Sequence, residues 1–266
     1  MQSKKLNALQ IKASNRQLAI EEIILEEPLQ ININGLPFTV AMRTPGDDIF
    51  LTRGLLFSEG IIKDNSEIKH IEELFHQDDT IPFAVTVRLD NFDEKEFLRT
   101  GISNASCGMC GKKELKEARF HRGKIKNNFS LDINKINYLT EQMNKRQNLF
   151  HKTGGCHAAV FYDAHYELQC LFEDVGRHNA VDKGIGFLLA NGLISKTKIL
   201  FLSGRISFEI LYKAYCADIP VILAISSPSS MCIEFAEEYG ICVVGFCREN
   251  KATVYSCIEK FTELKI

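Results

Sequence analysis

Two thiols separated by two residues stand in Ser106-Cys107-Gly108-Met109-Cys110-Gly111-Lys112-Lys113, a polar and glycine-flanked stretch. Accessible thiols exchange sulfur through their thiolates, and Lys112 or Lys113 favours that form. Gly108 and Gly111 leave the backbone free to change direction. Four chemistries compete for such a pair. Half of a zinc knuckle needs two further ligands, for which Cys156 and His157 are the candidates, since no second Cys-x-x-Cys exists. A thioredoxin-like dithiol belongs at a helix start inside a βαβ unit, whereas a β-rich stretch precedes this one. A zinc deaminase joins H-x-E to P-C-x-x-C. His70-Ile71-Glu72 imitates the first half, but Asn104-Ala105-Ser106 replaces the proline, and EIKHIEELFHQ reads as a charged, exposed helix face. The fourth chemistry is carriage of sulfur as a persulfide, a state open to an activated thiol. The spacing alone does not single it out.

A second constellation is Glu173-Asp174-Val175-Gly176-Arg177-His178-Asn179-Ala180-Val181-Asp182-Lys183, where a strand hands over to a helix. Ser203-Gly204-Arg205-Ile206-Ser207 follows the strand KILFL, and Phe246-Cys247-Arg248-Glu249-Asn250-Lys251 follows ICVVG. In α/β sheets, ligands bind beyond the carboxyl ends of strands, where helix amino termini offer free N–H groups to anions. Three such turns carrying Arg177, Arg205, Arg248 and Lys251 predict a phosphate or pyrophosphate site. The plainer reading of any one of these arginines is a surface salt bridge. His178, with Asp174 and Asp182, has the composition of an acid–base group or of a histidine hydrogen-bonded at a helix start. Thr153-Gly154-Gly155-Cys156-His157 either lines the same cleft or merely ends the preceding helix.

Positioning these groups requires the following elements. Alternation from Ile20 to Met42 predicts strands with a hairpin at Asn34-Gly35. TPGDDIFLTRGLLFSEG predicts a helix capped by Asp47 or Asp48 and stopping near Gly60, and Ile81 to Leu89 predicts another strand. Arg99 to Lys113 reads as an exposed loop. Ile136, Leu139, Met143 and Phe150 predict one long amphipathic helix ending before Gly154. Beyond it, strands HAAVFYD, LQCLFED, KILFLSG, IPVILAIS and ICVVGFC alternate with helices at Asn179–Asn191, Phe208–Cys216 and Met231–Tyr239. That is the pattern of an α/β layer with largely parallel pairing among the later strands. The expected division is a β-rich domain over residues 1–130, carrying the Cys-x-x-Cys loop, and an α/β domain over 131–266.

The 266 residues are 45% hydrophobic and 25% charged, and 32 Lys+Arg against 34 Asp+Glu leave a net charge of -2. So balanced a chain has no overall field for gathering nucleic acid or anionic membrane, and any anion site must be local. MQSKKLNALQIKASNRQ lacks the apolar core of a signal peptide, and no run approaches the ~18 apolar residues of a membrane span. The chain reads as cytosolic. Its 9 cysteines include Cys242 and Cys247 in apolar GICVVGFC, where free buried thiols are expected rather than disulfides.

TPGDD with RGLLFSEGII, SCGMCGK, TGGCHAA, EDVGRHNAVDK, SGRISFEI and VGFCREN, in that order, resemble the successive motifs of the FdhD/NarQ family of formate dehydrogenase accessory proteins, over nearly all the chain after residue 20. The resemblance implies a sulfurtransferase that accepts persulfide sulfur from a cysteine desulfurase. The recipient it implies is the molybdenum bis(molybdopterin guanine dinucleotide) cofactor of a formate dehydrogenase. By resemblance, Cys107 is the persulfide carrier, with Cys110 assisting or sharing the sulfur. Phe246, Cys247, Arg248, Glu249, Asn250 and Lys251 contact the guanine dinucleotide, and Arg177, His178 and Arg205 join that pocket. The family also implies a homodimer and a cytidine-deaminase-like three-layer α/β/α domain without the metal site; resemblance of fold does not carry zinc chemistry with it. This sequence departs from the family at Pro228-Ser229-Ser230, where Pro-Thr-Ser is expected, and at Cys156, an added thiol in the Gly-Gly-x-His motif. A non-catalytic escort for the cofactor is the alternative from another functional class.

Overall fold

The computed structural model describes residues 1–13, 15–90, 92, 123–126 and 129–261. The expected loop with Cys107 and Cys110 lies outside the described residues.

The chain opens with a two-stranded ribbon, β1 (Ser3–Lys12) and β2 (Asn15–Ile24), which the sequence pattern had not marked before Ile20. A mixed four-stranded sheet follows in the order β4-β3-β6-β5, from β3 (Glu27–Ile33), β4 (Leu36–Arg43), β5 (Ile68–Leu74) and β6 (Ala84–Leu89). The expected hairpin joins β3 to β4, with Asn34 and Gly35 both at positive φ. That is the backbone of a tight primed turn.

Between β4 and β5 runs helix α1 (Asp48–Ser58). Asp47 takes the expected cap position, but in a left-handed conformation and with no capping bond from its side chain. Asp48 instead takes two hydrogen bonds from the guanidinium of Arg43, at 3.0 and 2.8 Å, with both side chains buried. Arg43 also donates to the carbonyls of Glu27 and Pro82. A buried arginine is tolerable when its donors are so fully used.

The segment around His70 is strand β5, not a helix. An irregularity in its pairing with β6 between Ile68 and His70 leaves both Ile68 and Ile71 packed against the core. A bulge thus imitates the i, i+3 spacing of a helix. The expected long helix is also two: α2 (Lys135–Arg146) and α3 (Asn148–Thr153), broken at Gln147. Glu173 makes the second start by accepting hydrogen bonds from the N–H groups of Leu149 and Phe150, each at 2.8 Å.

The remaining elements are β7 (His157–Asp163), β8 (Leu168–Asp174), α4 (Arg177–Ala190), β9 (Thr197–Leu202), α5 (Phe208–Cys216), β10 (Val221–Ala224), α6 (Ser230–Tyr239), β11 (Cys242–Arg248) and β12 (Lys251–Val254). The strands form one sheet ordered β12-β11-β10-β9-β7-β8. Pairing is parallel across β9, β10 and β11 and antiparallel at both flanks. Both faces are covered, so alternate residues face different layers. Phe161, Leu200, Leu202, Ile222 and Val243 join the core shared with α1, α4, α5, α6 and the four-stranded sheet. Val160, Tyr162, Ile199, Phe201, Leu223 and Val244 meet Ile136, Leu139 and Met143 of α2 on the other side. The result is a mixed α/β fold whose larger sheet is sandwiched between helices. Among the described residues, no helix is long and apolar enough to cross a membrane.

Helices α1 and α4 touch backbone to backbone. A Cβ on Gly54 would overlap the Asp182 carbonyl, and one on Gly186 would overlap that of Phe50. Glycine is required at both crossings. A buried ion pair ties α4 to the end of β8 and to the turn before α1: Lys183 donates to Asp174 at 2.8 Å and to the Thr44 carbonyl at 2.8 Å, with Asp174 and Lys183 both 0% exposed. Removing one member leaves a buried charge alone, which typically costs ~3–5 kcal/mol. Lys183→Met is therefore expected to lower the unfolding free energy by about that amount in urea titrations, and a loss within experimental error would contradict this role.

Candidate functional site

Because β7 runs against β8 and β9, its first residue lies at the same edge of the sheet as the last residues of β8, β9, β10 and β11. His157 faces Asp174 in register. Beside them, Ser203 closes the edge, its hydroxyl accepting from Ala158 N–H at 2.8 Å and its own N–H donating to the Ala158 carbonyl at 3.0 Å. From this edge the helices α4, α5 and α6 start after β8, β9 and β10. Their amino termini supply positive backbone dipole to one region. Ser207 and Ser229 are the capping residues of α5 and α6, and a bridge between Ile206 and Pro228 joins the two turns.

Arg177 is the first residue of α4, and Arg205 stands exposed in the β9–α5 turn. Arg177 Nε is buried with no hydrogen-bond partner among the described residues. Gly204 packs flush on His157, where a Cβ would lie 3.1 Å from Nδ1. Burial, then the positive charges of Arg177 and Arg205, push the His157 imidazolium below its usual range, and Asp174 opposes them. The His157 ring is thus held toward its neutral form in the field of these two cations.

His178 is held lower still, at about 4, by burial first and then by Lys213 and Arg177, against the pull of Glu209. The aspartates offered by the sequence are not its partners. Its Nε2 lies 3.4 Å from Ser207 Oγ and 3.9 Å from Glu209. Asp174 accepts from the N–H groups of Gly176 and Thr44, from Asn179 Nδ2 and from Lys183. Asp182 accepts from Lys213 and Ser58. Half of the EDVGRHNAVDK motif therefore points inward to hold TPGDD, while Arg177 and His178 remain at the edge. Thr44, Asn179 and Lys213 escaped the sequence reading. The signal available was polar Asp182-Lys183 inside an otherwise apolar helix face.

The third turn is not a strand-to-helix handover but a hairpin. Glu249 and Asn250 are left-handed, and β11 returns as β12. A register shift between Gly245 and Arg248 displaces the strand end, with Phe246 at positive φ and its N–H on the Ser226 carbonyl at 3.1 Å. Bulges of this kind redirect side chains at strand ends. Phe246 is half-buried, while Arg248, Glu249, Asn250 and Lys251 are exposed. Cys247 turns inward, fully buried among the residues packed on α2, and only its carbonyl reaches Thr140.

Cys156 also faces inward, its thiol 3.3 Å from Glu173, and burial followed by that carboxylate pushes it up to about 12. It is a third donor on the group that starts α3, not a nucleophile. Among the described residues no three His, Cys, Asp or Glu side chains converge as a metal-ligand set. The 93–122 segment departs beyond β6 at Phe92, which packs against the main core. It returns at Gly123–Lys126, where Ile125 N–H meets the Tyr239 carbonyl at the finish of α6. Both roots lie at the opposite end of the fold from the arginine turns.

Comparison with known proteins gives a match of residues 24–262 to the FdhD/NarQ family. A Sulfolobus acidocaldarius protein named sulfur carrier protein FdhD is 38% identical over 261 residues, 98% of this chain and 99% of its own. A Thermoplasma acidophilum protein of the same name is 37% identical over 250 residues, 91% and 87% of the two chains. The crystal structure of a putative formate dehydrogenase accessory protein from Desulfotalea psychrophila superposes with a TM-score of 0.76 at 23% identity, covering 98% of this chain and 99% of that one. It shares the fold.

Two outcomes follow from the protonation states. Cys156 is expected to resist iodoacetamide at pH 8 in the native protein and to react in urea; rapid native labelling would contradict its burial. His178 is neutral in the fold but protonates below 6.5 when unfolded, so its contribution, up to about 3 kcal/mol, is present above pH 6.5 and is lost as pH falls toward about 4. His178→Gln should flatten urea midpoints over that window relative to the parent, and parallel curves would refute this.

Proposed function

Because the chain belongs to the FdhD/NarQ family, we propose that it is a sulfur carrier that takes persulfide sulfur from a cysteine desulfurase and delivers it to the bis-guanine-dinucleotide molybdenum cofactor of a formate dehydrogenase. It would work as a cytoplasmic homodimer. The observation that carries this reading is the convergence of three helix amino termini with Arg177 and Arg205 at one sheet edge. Such an edge suits the phosphates of a dinucleotide. Phe246 and the exposed run from Arg248 to Lys251 stand at the end of β11 on that same edge, where a guanine would be received through side chains, with Cys247 contributing backbone alone.

In the first step a Cys107 thiolate attacks the terminal sulfur of the donor persulfide; the donor S–S bond breaks and the donor cysteine leaves as thiolate. In the second, the Cys110 thiolate attacks the inner sulfur of the Cys107 persulfide. A Cys107–Cys110 disulfide forms and hydrosulfide departs, so the two electrons that reduce the sulfur come from the thiol pair. Cys107 lies 15 residues after Phe92 and 16 before Gly123. A chain of that length reaches up to ~50 Å, against the ~15 Å length of α6, so the distance from root to arginine edge is within its span.

Cys107→Ala and Cys110→Ala are expected to bind guanosine diphosphate as the parent does, yet to leave a co-expressed formate dehydrogenase inactive. Arg205→Ala should weaken nucleotide binding roughly tenfold, the scale of one charge-assisted hydrogen bond. Full dehydrogenase activation by both cysteine variants would overturn sulfur carriage and favour an escort that only holds the cofactor.

A further inference from the structure

We propose that His157 is a third member of the anion site and takes up a proton when ligand binds, so that the edge selects an anion carrying two negative charges over one carrying a single charge. The inference rests on the reading of this edge as an anion site.

His157 opens β7 directly across from the end of β8 and lies flush on Gly204, the residue before Arg205. Its ring is half-buried and so near Gly204 that a side chain there would crowd it. The charged groups facing it come from every neighbouring element: Asp174 from β8, Arg177 from the start of α4, Arg205 from the β9–α5 turn. His178 is the other titratable group that senses it, and that ring is turned to Ser207 and Glu209. Asp174 is already committed to Lys183, Asn179 and two N–H groups, so it offers little compensation to a charged imidazole. Without ligand, two guanidinium charges and burial oppose protonation.

An anion between Arg177 and Arg205 reverses that balance. One negative charge offsets one guanidinium and leaves the imidazole facing a net positive field. Two negative charges offset both and make the protonated ring a further donor to the ligand. Arg177 Nε is buried without a hydrogen-bond partner among the described residues, so the fold leaves one donor of this guanidinium unused. His157 thus ties affinity to ligand charge.

The test is isothermal titration calorimetry of the full-length protein with diguanosine pyrophosphate, whose phosphates do not titrate between pH 5.5 and 8. Runs at pH 6.5 in buffers of different ionisation enthalpy count protons exchanged. The expected result is uptake of about half to one proton and tightening of up to tenfold per pH unit below pH 7. His157→Gln should lose both the proton uptake and the pH dependence, whatever affinity it retains at pH 8, and His178→Gln should keep the proton uptake. Binding with no proton uptake, or uptake that disappears in His178→Gln but persists in His157→Gln, overturns the inference and leaves the anion site standing. No binding to the parent protein overturns the anion site and the inference together.

Discussion

Asp174 and Lys183 meet in the dry interior, and the rest of the architecture depends on how that pair is satisfied. Burying two ions is unfavourable unless nearly every donor and acceptor is used. Here the carboxylate takes donors from Thr44, Gly176, Asn179 and Lys183, while the ammonium also donates to the Thr44 carbonyl. Thr44 comes from the turn before α1, more than a hundred residues away in sequence. Asn179 adds a bond to the Met42 carbonyl at 2.7 Å, and Val175 N–H bonds Thr44 Oγ1 at 3.1 Å. The observed placement of the four-stranded sheet satisfies all of these groups at once. The pair is a device for specifying position more than a source of stability.

That placement has a consequence for chemistry. With Asp174 occupied on its inner side, the chain must turn outward at Gly176, and α4 begins with Arg177 and His178 at the sheet edge. The second buried pair, Asp182 with Lys213, fixes α5 against α4 in the same manner. The turns bearing Arg177 and Arg205 are thereby held by groups that never meet a ligand. An edge held in this way would lose little conformational freedom on binding the proposed anion. The glycine crossing of α1 over α4 removes the remaining slack, since at Gly54 and Gly186 backbone touches backbone.

Much of this was legible in the sequence where one physical rule dominated. The strands of the large sheet announce themselves as short apolar runs because they are covered on both faces, and Asn34-Gly35 declares its turn through its φ angles. The reading failed where two rules gave the same pattern. A bulged edge strand around His70 carries the spacing of a helix. A continuous apolar stripe from Ile136 to Phe150 hides a break that only Glu173, distant in sequence, creates. Left-handed Glu249 and Asn250 convert the last turn into a hairpin without any glycine to signal it. In EDVGRHNAVDK the polarity was visible but its direction was not, so residues that lock the fold and residues that face the edge looked alike.

The central claim is that sulfur travels on this chain, and the most direct measurement is incubation of the purified protein with a cysteine desulfurase and cysteine, followed by non-reducing peptide mass spectrometry. The account predicts one added sulfur on the peptide that holds Cys107 and Cys110, and none on the peptide that holds buried Cys156. An unmodified loop peptide, with the desulfurase shown to be turning over, would contradict it.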